Sequence, residues 1–359
     1  MNAYFLCATQ SSNLGDLLIN KMLIDELCKY GFVFVDCYNI PLEFKKYILE
    51  NNNAVDVYNA KGFSIKKGNI AKFNFFLKEN DIQCFTQSPG PLGKLSRKYS
   101  IYFKLISLIL KFHKIKYFLI GNCCSRAIAL KEKISIDYAN AYYLRSKSSQ
   151  KYLLSYHIKN VNYIPDIAFL YRNKAIISKK NKIAALCFRE IKSDYNSFIK
   201  WLQQIVSLLK AYDYQIELIY QVATDKDFTY KVHEDISKRF KDISLKNNII
   251  WYDNINYYSG KAMIISNRLH SLLLGAIHNA IPIALCDNSP ETLKINDVYN
   301  SVFPDKSSYL QISINSYSNL HHIIKNYESM EEYVACIADN NSSLCHNMIN
   351  EIAHYCSAI

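Results

Sequence analysis

The sequence alternates short apolar runs with longer amphipathic patterns, and this alternation occurs twice along the chain. The apolar runs predict buried strands, and the segments between them have the spacing of helices that cover a sheet. Alternation of this kind is typical of parallel sheets with helices on both faces. The first series of runs is 3–8, 32–38, 55–59, 82–87, 116–121, 141–145 and 161–165, and the second is 182–188, 215–221, 248–253, 261–266 and 281–286. We therefore predict an α/β protein with two Rossmann-like domains.

A basic segment separates the two series and sets the predicted domain boundaries. "RNKAIISKKNK" at 172–182 has five Lys or Arg in eleven positions, which indicates an exposed connection. We predict an N-terminal Rossmann-like domain over 1–172, a C-terminal one over 173–318, and a helical tail over 319–359 that packs across the junction. A chain of 359 residues suits two domains better than one. Two such domains that face a cleft form an arrangement called GT-B-like.

Composition and missing motifs exclude several classes of function. The chain lacks both G-x-G-x-x-G and G-x-x-x-x-G-K-[ST], the glycine signatures of dinucleotide and Walker-type phosphate binding. The net charge of +12 favours anionic ligands, but no nucleic-acid-binding motif accompanies it, so we expect no nucleic-acid partner. The 11 cysteines are scattered, without C-x-x-C, which predicts reduced thiols in a cytoplasmic protein and no metal site.

One basic apolar segment raises the question of a membrane. No run of about 18 apolar residues occurs, so we expect no membrane span. "YSIYFKLISLILKFHKIKYFLI" at 99–120 is interrupted by four lysines, and a basic amphipathic helix of this kind can lie on an anionic membrane surface. A crossover helix packed on a sheet explains the same pattern and is the more common case.

The segment "IISNRLHSLLLGAIHNAIPIAL" at 264–285 carries the leading site candidates. Ligands of open α/β sheets bind outside the carboxyl ends of the strands, and Arg268 and His270 follow the predicted strand 261–266 directly. They fall in the first turn of a predicted helix, off its apolar stripe, with Ser266 or Asn267 as the expected cap. A helix N-terminus with Arg and His suits a phosphate or carboxylate. The residues alone leave open an Arg paired with a structural carboxylate and a His satisfied in the core.

Two other strand ends supply candidates. Arg189 follows the predicted strand 182–188, which again places a guanidinium at a carboxyl end. The polar loop "SSNLGD" at 11–16 follows the first strand, where Gly15 permits close approach of the backbone and Asp16 can bind a hydroxyl or cap the helix. Simple helix capping also accounts for Asn13 and Asp16. The loop "SPGPLG" at 88–93 either lines a cleft or forms a rigid turn.

Several of these motifs together resemble the polysaccharide pyruvyl transferase family. "ISNRLHSLLLGAIHNAIPIAL" is similar to the family's R-L-H signature with its later Ala and Pro, and "NLGD" at 13–16 is similar to its N-x-G-D loop. "RSKSS" at 145–149 partly matches R-D-x-x-S, with Ser146 in place of Asp. "IPDIAF" at 164–169 and "CFR" at 187–189 match further motifs in the right order, so the resemblance covers roughly residues 3–290. "CDNS" at 286–289 departs from the family's Y-D-x-K.

The resemblance implies transfer of a pyruvyl group from phosphoenolpyruvate to a sugar, forming a ketal, with no cofactor and no metal. It implies a donor side in the C-terminal domain, with His270 as the proton donor, and an acceptor side in the N-terminal domain, with Asp16 as a candidate base. The donor-binding candidates are Arg189, Arg268, Leu269, His270 and Ser266, and the acceptor-binding candidates are Asn13, Gly15 and Asp16. The expected acceptor is a glycan or lipid-linked oligosaccharide of a bacterial exopolysaccharide or capsule. The expected location is the cytoplasm, with peripheral contact at the inner membrane face.

Two alternatives remain at this point. Two facing Rossmann-like domains also suit a GT-B-type glycosyltransferase that uses a nucleotide-sugar donor in envelope glycan synthesis, because fold alone does not determine function. A non-catalytic protein of an envelope-glycan assembly, held at the membrane by its basic surface, is the third class.

Overall fold

The computed structural model of the protein describes residues 1–92, 97–124, 139–191, 194–286 and 290–357. Contacts between Cα atoms divide the chain into two compact units. The first unit comprises Met1–Ser11, Asp16–Leu170 and Ser343–Ile359, and the second comprises Ser12–Gly15 and Tyr171–Ser342. The described residues of the predicted tail include the helices Ser318–Lys325 and Tyr327–Ser357. Its packing across a junction stays a prediction.

The first unit is built on a parallel sheet. Its strands are β1 Asn2–Leu6, β2 Val33–Asp36, β3 Ala54–Asp56, β4 Ile82–Gln87, β5 Gly90–Pro91, β6 Lys116–Cys123, β7 Ala141–Leu144 and β8 Val161–Tyr163. Its helices are α1 Leu14–Leu27, which begins in the second unit's Ser12–Gly15, and α2 Leu42–Ile48, α3 Val57–Lys61, α4 Ile70–Glu79, α5 Arg97–Phe112 and α6 Lys147–Ser155. Within the described residues the strand order is β3-β2-β1-β4-β6-β7-β8, with β5 on β6, and each pairing is parallel.

The second unit repeats this plan with a smaller sheet. Its strands are β9 Ile183–Cys187, β10 Gln215–Leu218, β11 Ser244–Leu245, β12 Met263–Ser266, β13 Ile281–Leu285 and β14 Gln311–Ile312. Its helices are α7 Tyr195–Lys210, α8 Lys226–Ser237, α9 Leu269–Ile277, α10 Pro290–Val302, α11 Ser318–Lys325 and the start of α12 Tyr327–Ser357, which continues into the first unit at Ser343. In the described part of the chain the order is β11-β10-β9-β12-β13-β14, again parallel. The prediction of two parallel-sheet α/β domains is confirmed.

Helical periodicity explains how α7 covers this sheet. Asp194 caps the helix by accepting a hydrogen bond from the Asn196 amide at 3.0 Å. The buried side chains then recur every three or four residues, which places them on one face. They are Phe198, Trp201, Leu202, Ile205, Val206 and Leu209. The opposite face is left to polar residues.

Helix α9 packs closely on β12 through a glycine. A methyl group on Gly275 would lie 2.5 Å from Ile264 Cγ1, closer than side chains pack. Every residue of α9 is buried, including His270 and Ser271. The apolar run noticed in the sequence therefore reflects a helix enclosed by the unit.

The prediction of a strand at 248–253 is wrong. Asn254 accepts a hydrogen bond from the Trp251 amide at 2.7 Å and donates one to the Ile249 carbonyl at 3.2 Å. These local bonds turn the chain into a 3-10 helix at Tyr252–Tyr258, since an asparagine side chain competes with strand pairing for backbone groups. The strand that pairs with β10 on the side away from β9 is instead β11, at Ser244–Leu245.

Asp36, at the carboxyl end of β2, is fully buried and bonded within its own unit. Its Oδ2 accepts hydrogen bonds from the Tyr4 hydroxyl, the Ser64 hydroxyl and the Ile65 amide, each at 2.9 Å. Its Oδ1 accepts one from the Tyr38 amide at 3.2 Å. These four donors match the roughly four acceptor sites of a carboxylate, so Asp36 ties β1, β2 and the segment before α4 together.

Helix length and composition bear on the membrane question. No helix in the described part of the chain is both long and apolar enough to cross a membrane.

Candidate active site

Strands β9 and β12 deliver two predicted site segments to the same edge of the second sheet. Ser266 pairs with Cys187 at the ends of these parallel strands, so the residues after them leave the sheet side by side. The Ser266 hydroxyl donates to the Cys187 carbonyl and accepts a hydrogen bond from the Arg268 amide at 2.9 Å. Ser266 is fully buried and stabilises the turn into α9.

Asn267 joins these two segments, which the sequence did not reveal. Its Oδ1 accepts a hydrogen bond from the Arg189 amide at 2.8 Å, and its Nδ2 donates to the Arg189 carbonyl at 3.3 Å. The prediction that Ser266 or Asn267 caps α9 is wrong, because the N-cap residue is Arg268, whose side chain makes no capping bond. The Asn267 side chain instead fixes the backbone of Arg189 beside the start of α9.

Arg268 forms a bidentate ion pair with Asp225. Its Nε donates to Asp225 Oδ2 at 2.8 Å, and its Nη2 donates to Asp225 Oδ1. Both side chains are largely buried, with exposed fractions of 14% and 4%. Burial raises the pKa of Asp225, while the charges of Arg268 and Arg189 oppose that rise. These two bonds use two of the five N–H donors of a guanidinium and hold its plane in one orientation.

Asp225 is the main site residue that sequence reasoning missed. It ends a 3-10 turn at Ala223–Asp225, seven residues after β10, the neighbour of β9 in the sheet. Arg189 and Arg268 were found by inspecting the residues after each strand. The same inspection after β10 leads to Asp225. The structural carboxylate that the sequence left open as a partner for Arg268 is therefore present.

His270 packs against the backbone of Gly15. A methyl group on Gly15 would lie 2.0 Å from His270 Nδ1 and 2.2 Å from its Cγ, so only glycine leaves room for the imidazole. His270 lies in the first turn of α9 and is buried. Leu269 precedes it, also buried. The histidine of the R-L-H motif and the glycine of the N-x-G-D motif thus meet within the second unit.

The loop that carries Gly15 is fixed at two points. Asn13 Oδ1 accepts a hydrogen bond from the Gly15 amide at 2.9 Å, which caps the start of α1. Asn13 also forms an isolated antiparallel bridge with Val222, three residues before Asp225. The side chain of Asn13 is therefore a helix cap, which is the alternative role considered for it in the sequence analysis. Asp16 is the next residue after Gly15 and belongs to the first unit, half-buried in the first turn of α1.

A polar network and a buried thiol contact Ser271 of α9. The Tyr258 hydroxyl bonds to Gln221 Oε1 at 3.1 Å and to the Ser271 hydroxyl at 3.0 Å, and all three residues are buried. Burial raises the pKa of the Cys187 thiol to about 11, so this cysteine is a neutral core residue. Fully bonded networks of this kind restrict movement of the helix they contact.

Two basic side chains bind carbonyl groups at the C-terminal end of α9. Arg172 Nη1 donates to the Ile277 carbonyl and to Asn279 Oδ1, both at 2.6 Å, and Lys180 donates to the His278 carbonyl. Positive charge at a helix C-terminus complements the helix dipole. The predicted connection at 172–182 is mostly exposed, but Arg172 and Lys180 are half-buried and bind the end of α9.

Three motif residues of the first unit have structural roles. Arg145 Nη1 donates to Asp166 Oδ2 at 2.8 Å, and both side chains are almost fully buried. Ser146 caps α6 by accepting a hydrogen bond from the Ser149 amide at 3.2 Å. Serine and aspartate are both good N-cap residues, which accounts for Ser146 where the family pattern has Asp. Gly93 and residues 287–289, named in the sequence analysis, lie outside the described residues.

A surface cavity of about 630 Å³ lies away from this site. Its lining includes Lys182, Tyr214 and Ala262, which directly precede β9, β10 and β12. It therefore opens at the amino edge of the second sheet, whereas ligands of such sheets bind at the carboxyl edge. We place the candidate active site at the carboxyl edge, where Arg189, Arg268 and His270 converge.

A family comparison covers the residues of this site. The family model described as polysaccharide pyruvyl transferase matches residues 13–290, which spans Asn13 and the whole of α9. No curated protein sequence matches the chain.

Solved structures show likeness in fold. A UDP-GlcNAc 2-epimerase from Neisseria meningitidis, solved with UDP-GlcNAc, is 12% identical with a TM-score of 0.60, over 94% of this chain and 98% of the other. A glycosyltransferase from Rickettsia africae is 13% identical with a TM-score of 0.60, over 99% and 98%. The S. aureus MnaA–UDP structure is 11% identical with a TM-score of 0.61, over 100% and 98%. The predicted fold class, two parallel-sheet α/β domains like those of GT-B enzymes, is confirmed.

Proposed function

The chain belongs to the polysaccharide pyruvyl transferase family, and we propose that it transfers a pyruvyl group from phosphoenolpyruvate to a sugar of a cell-surface polysaccharide or of its lipid-linked precursor. The observation that carries the proposal is the convergence of Arg189, Arg268 and His270 at one sheet edge. The family indicates the class of reaction. The guanidinium and imidazole groups of the site suit an anionic donor.

Phosphoenolpyruvate carries a phosphate and a carboxylate, and both suit guanidinium groups. Arg189 and Arg268 leave paired strands, and Asn267 fixes the backbone of the first beside the second. Two N–H groups of Arg268 donate to Asp225, so the remaining N–H groups of this guanidinium have a fixed direction. Backbone N–H groups at the start of α9 add to the positive potential. We assign Arg189, Arg268, Ser266, Leu269 and His270 to the donor side.

In the proposed reaction, the imidazolium of His270 donates a proton to the methylene carbon of phosphoenolpyruvate. The double-bond electrons form the new C–H bond, and the adjacent carbon becomes an oxocarbenium ion. One sugar hydroxyl adds to that carbon and loses its proton to a base. Phosphate then leaves with the electrons of its C–O bond, a second hydroxyl adds and loses its proton, and a cyclic ketal results. The products are the ketal and inorganic phosphate, and no metal or cofactor takes part.

The acceptor side of the proposal rests on the loop before α1. Asn13 and Gly15 lie in the second unit with His270, and Asp16 follows them directly in the chain. We assign Asp16 as the base that accepts a hydroxyl proton, since a carboxylate is suited to that step. The proposed acceptor is a bacterial exopolysaccharide or capsule glycan or a lipid-linked oligosaccharide, and the proposed location is the cytoplasm.

The decisive experiment is a donor screen by thermal shift, followed by phosphate release with candidate acceptor glycans. We expect phosphoenolpyruvate to raise the Tm and UDP- or GDP-sugars to leave it unchanged. His270→Gln should still bind phosphoenolpyruvate and lose roughly 10²-fold or more in turnover, because it keeps a polar group without a transferable proton. His354→Gln is the matched control, since His354 is exposed on α12.

Three results would contradict the proposal. Stabilisation by nucleotide sugars alone would favour the glycosyltransferase alternative. Binding of neither donor class would favour a non-catalytic role. Near wild-type turnover of His270→Gln would remove His270 from the proton-transfer step.

A further inference from the structure

Helices α4, α5 and α6 form a layer over one face of the first unit's sheet. Phe73 and Phe76 of α4, Ile106 and Leu110 of α5, and Leu153 of α6 belong to the same buried cluster. Helix α5 is thus the crossover helix between β4 and β6, as the more common reading of segment 99–120 predicted. Because the inner sides of these helices face one core, their outer sides face solvent on the same side of the unit.

The outer side of α5 is apolar, although it faces solvent. Leu105, Leu108 and Phe112 are exposed by 44%, 46% and 82%. Their spacing of three and then four residues places them on one face of the helix. Single exposed apolar residues are ordinary, but a row of large ones on one helix face marks an interaction surface.

The neighbouring helices extend this row. Phe75 of α4 is exposed by 68%, and Asn74 beside it bonds through Oδ1 to His113 Nε2 at 2.7 Å, directly after Phe112. This bond joins the exposed part of α4 to the end of α5. Leu154 of α6 is also exposed. We call Phe75, Leu105, Leu108 and Phe112 the apolar row.

The charges around the apolar row are almost all positive. Segment 97–116 contains no Asp or Glu. Exposed lysines occur on all three helices, and they are Lys72, Lys78, Lys104, Lys111, Lys147 and Lys151. The one carboxylate in the three helices, Glu79, lies 3.7 Å from Lys61 in an ion pair. An apolar surface with a cationic rim complements a surface that is apolar inside and anionic outside.

We propose that the outer face of α4 and α5 docks this protein on an anionic lipid surface. The apolar row enters the boundary between headgroups and acyl chains, as the apolar side of an interfacial helix does. The lysines extend their methylene stems along that row and place their ammonium groups at the lipid phosphates. Charge complementarity favours lipid over a protein partner, because the rim offers cations throughout and hardly any carboxylate.

The inference stands apart from the proposed pyruvyl transfer. It uses residues of the first unit only, none of them assigned to donor or acceptor, and vesicle binding is measured without either substrate. A lipid-linked acceptor would be presented at such a surface, which gives docking a purpose if the proposed function is correct.

The test is vesicle flotation with the full-length protein. Vesicles of phosphatidylcholine alone are compared with vesicles containing roughly a third phosphatidylglycerol, at low and high salt. We expect binding to the anionic vesicles, weakened by salt because surface charges are screened. Leu108→Gln with Phe112→Gln should lower the fraction bound about tenfold or more, and Lys104→Gln with Lys111→Gln should weaken binding and reduce its dependence on salt.

Controls separate docking from misfolding and from general stickiness. Leu344→Gln changes an exposed apolar residue of the same unit on another helix, and it should bind like wild type. Each variant should keep the thermal unfolding transition of wild type, since the substituted side chains face solvent. The proposal is overturned if wild type ignores anionic vesicles, or if the apolar-row variant binds as well as Leu344→Gln. Concentration-dependent dimerisation that Phe112→Gln abolishes, without vesicle binding, would show a protein interface instead.

Discussion

The imidazole of His270 occupies the space that a side chain on Gly15 would need. The nearest ring atom, Nδ1, lies 2.0 Å from the position of a Gly15 methyl group, and even His270 Cβ lies 2.5 Å from it. Two motifs separated by more than 250 positions in the sequence are therefore one structural feature. The glycine of the first motif is required by the histidine of the second.

Gly15→Ala should impair function more than stability. The added methyl group displaces His270 from the first turn of α9, and we expect turnover to fall at least about tenfold, since small misplacements of catalytic groups have large effects. Steady-state kinetics with the proposed donor measures this loss. Gly275→Ala is the contrasting variant, because its methyl group meets Ile264 and should lower the Tm. A Gly15→Ala protein with unaltered turnover would show that His270 need not hold this position.

The ion pair between Arg268 and Asp225 predicts strong energetic coupling. A double-mutant cycle of Arg268→Gln and Asp225→Asn, measured by chemical unfolding, should give a coupling free energy of about 1–3 kcal/mol. Each single variant leaves one buried charge uncompensated, and this is the costly state. Lys210→Gln with Asp242→Asn, a pair on the same unit that is more exposed (22% and 75%), should couple much less. Equal coupling at both pairs would mean that burial adds nothing to the Arg268 contact.

Asn267 is expected to act on the donor through Arg189. Asn267→Ala removes both hydrogen bonds to the Arg189 backbone, which frees the guanidinium to move. We expect calorimetry to show about tenfold weaker phosphoenolpyruvate binding, with a loss of roughly 1–2 kcal/mol in the free energy of unfolding. Asn196→Ala, at an exposed position of α7, should change neither quantity. If Asn267→Ala loses stability alone, its contact with Arg189 is purely structural.

His278 predicts a pH dependence of stability on the acid side. Burial lowers its pKa from 6.5 to about 4 in the folded protein. Between these values the unfolded chain binds more protons, so the free energy of unfolding falls as pH drops from 6.5 to 4, by up to about 3 kcal/mol from this group. Above pH 6.5 the contribution is complete.

The variant His278→Gln isolates that contribution. Unfolding curves at several pH values should show a shallower acid slope than wild type, because glutamine does not titrate. His354→Gln, at an exposed site on α12, should keep the wild-type slope. Parallel slopes for wild type and His278→Gln would contradict the lowered pKa.

Local patterns predicted the fold well, and long-range contacts explain what they missed. Apolar alternation located β1, β4 and β12 within one or two residues, since buried strands need apolar residues whatever their partners. The run at 248–253 has the same composition, but Asn254 diverts its backbone bonds, which no periodicity records.

The predictions for the site divide in the same way, into residues found from local patterns and contacts that depend on distant parts of the chain. The rule that ligands bind beyond the carboxyl ends of the strands placed Arg189, Arg268 and His270 at one edge of the second sheet. In the structure these residues lie at that edge. The rule did not identify Asp225 as the partner of Arg268, because that contact spans 43 positions and depends on the order of strands in the sheet. It also misassigned Asn267 as a helix cap, since only the pairing of β9 with β12 reveals Arg189 as its neighbour.

Asp36 has a consequence for what the first sheet can recognise. In dinucleotide-binding sheets, an acidic residue about 20 positions after the phosphate loop binds the ribose hydroxyls. The equivalent carboxylate here is enclosed by Tyr4, Ser64 and two backbone amides, so it has no acceptor left to offer a sugar ring. This sheet therefore does not offer the free carboxylate that binds ribose in dinucleotide-binding sheets. Redesign toward nucleotide recognition would have to begin by releasing this one side chain.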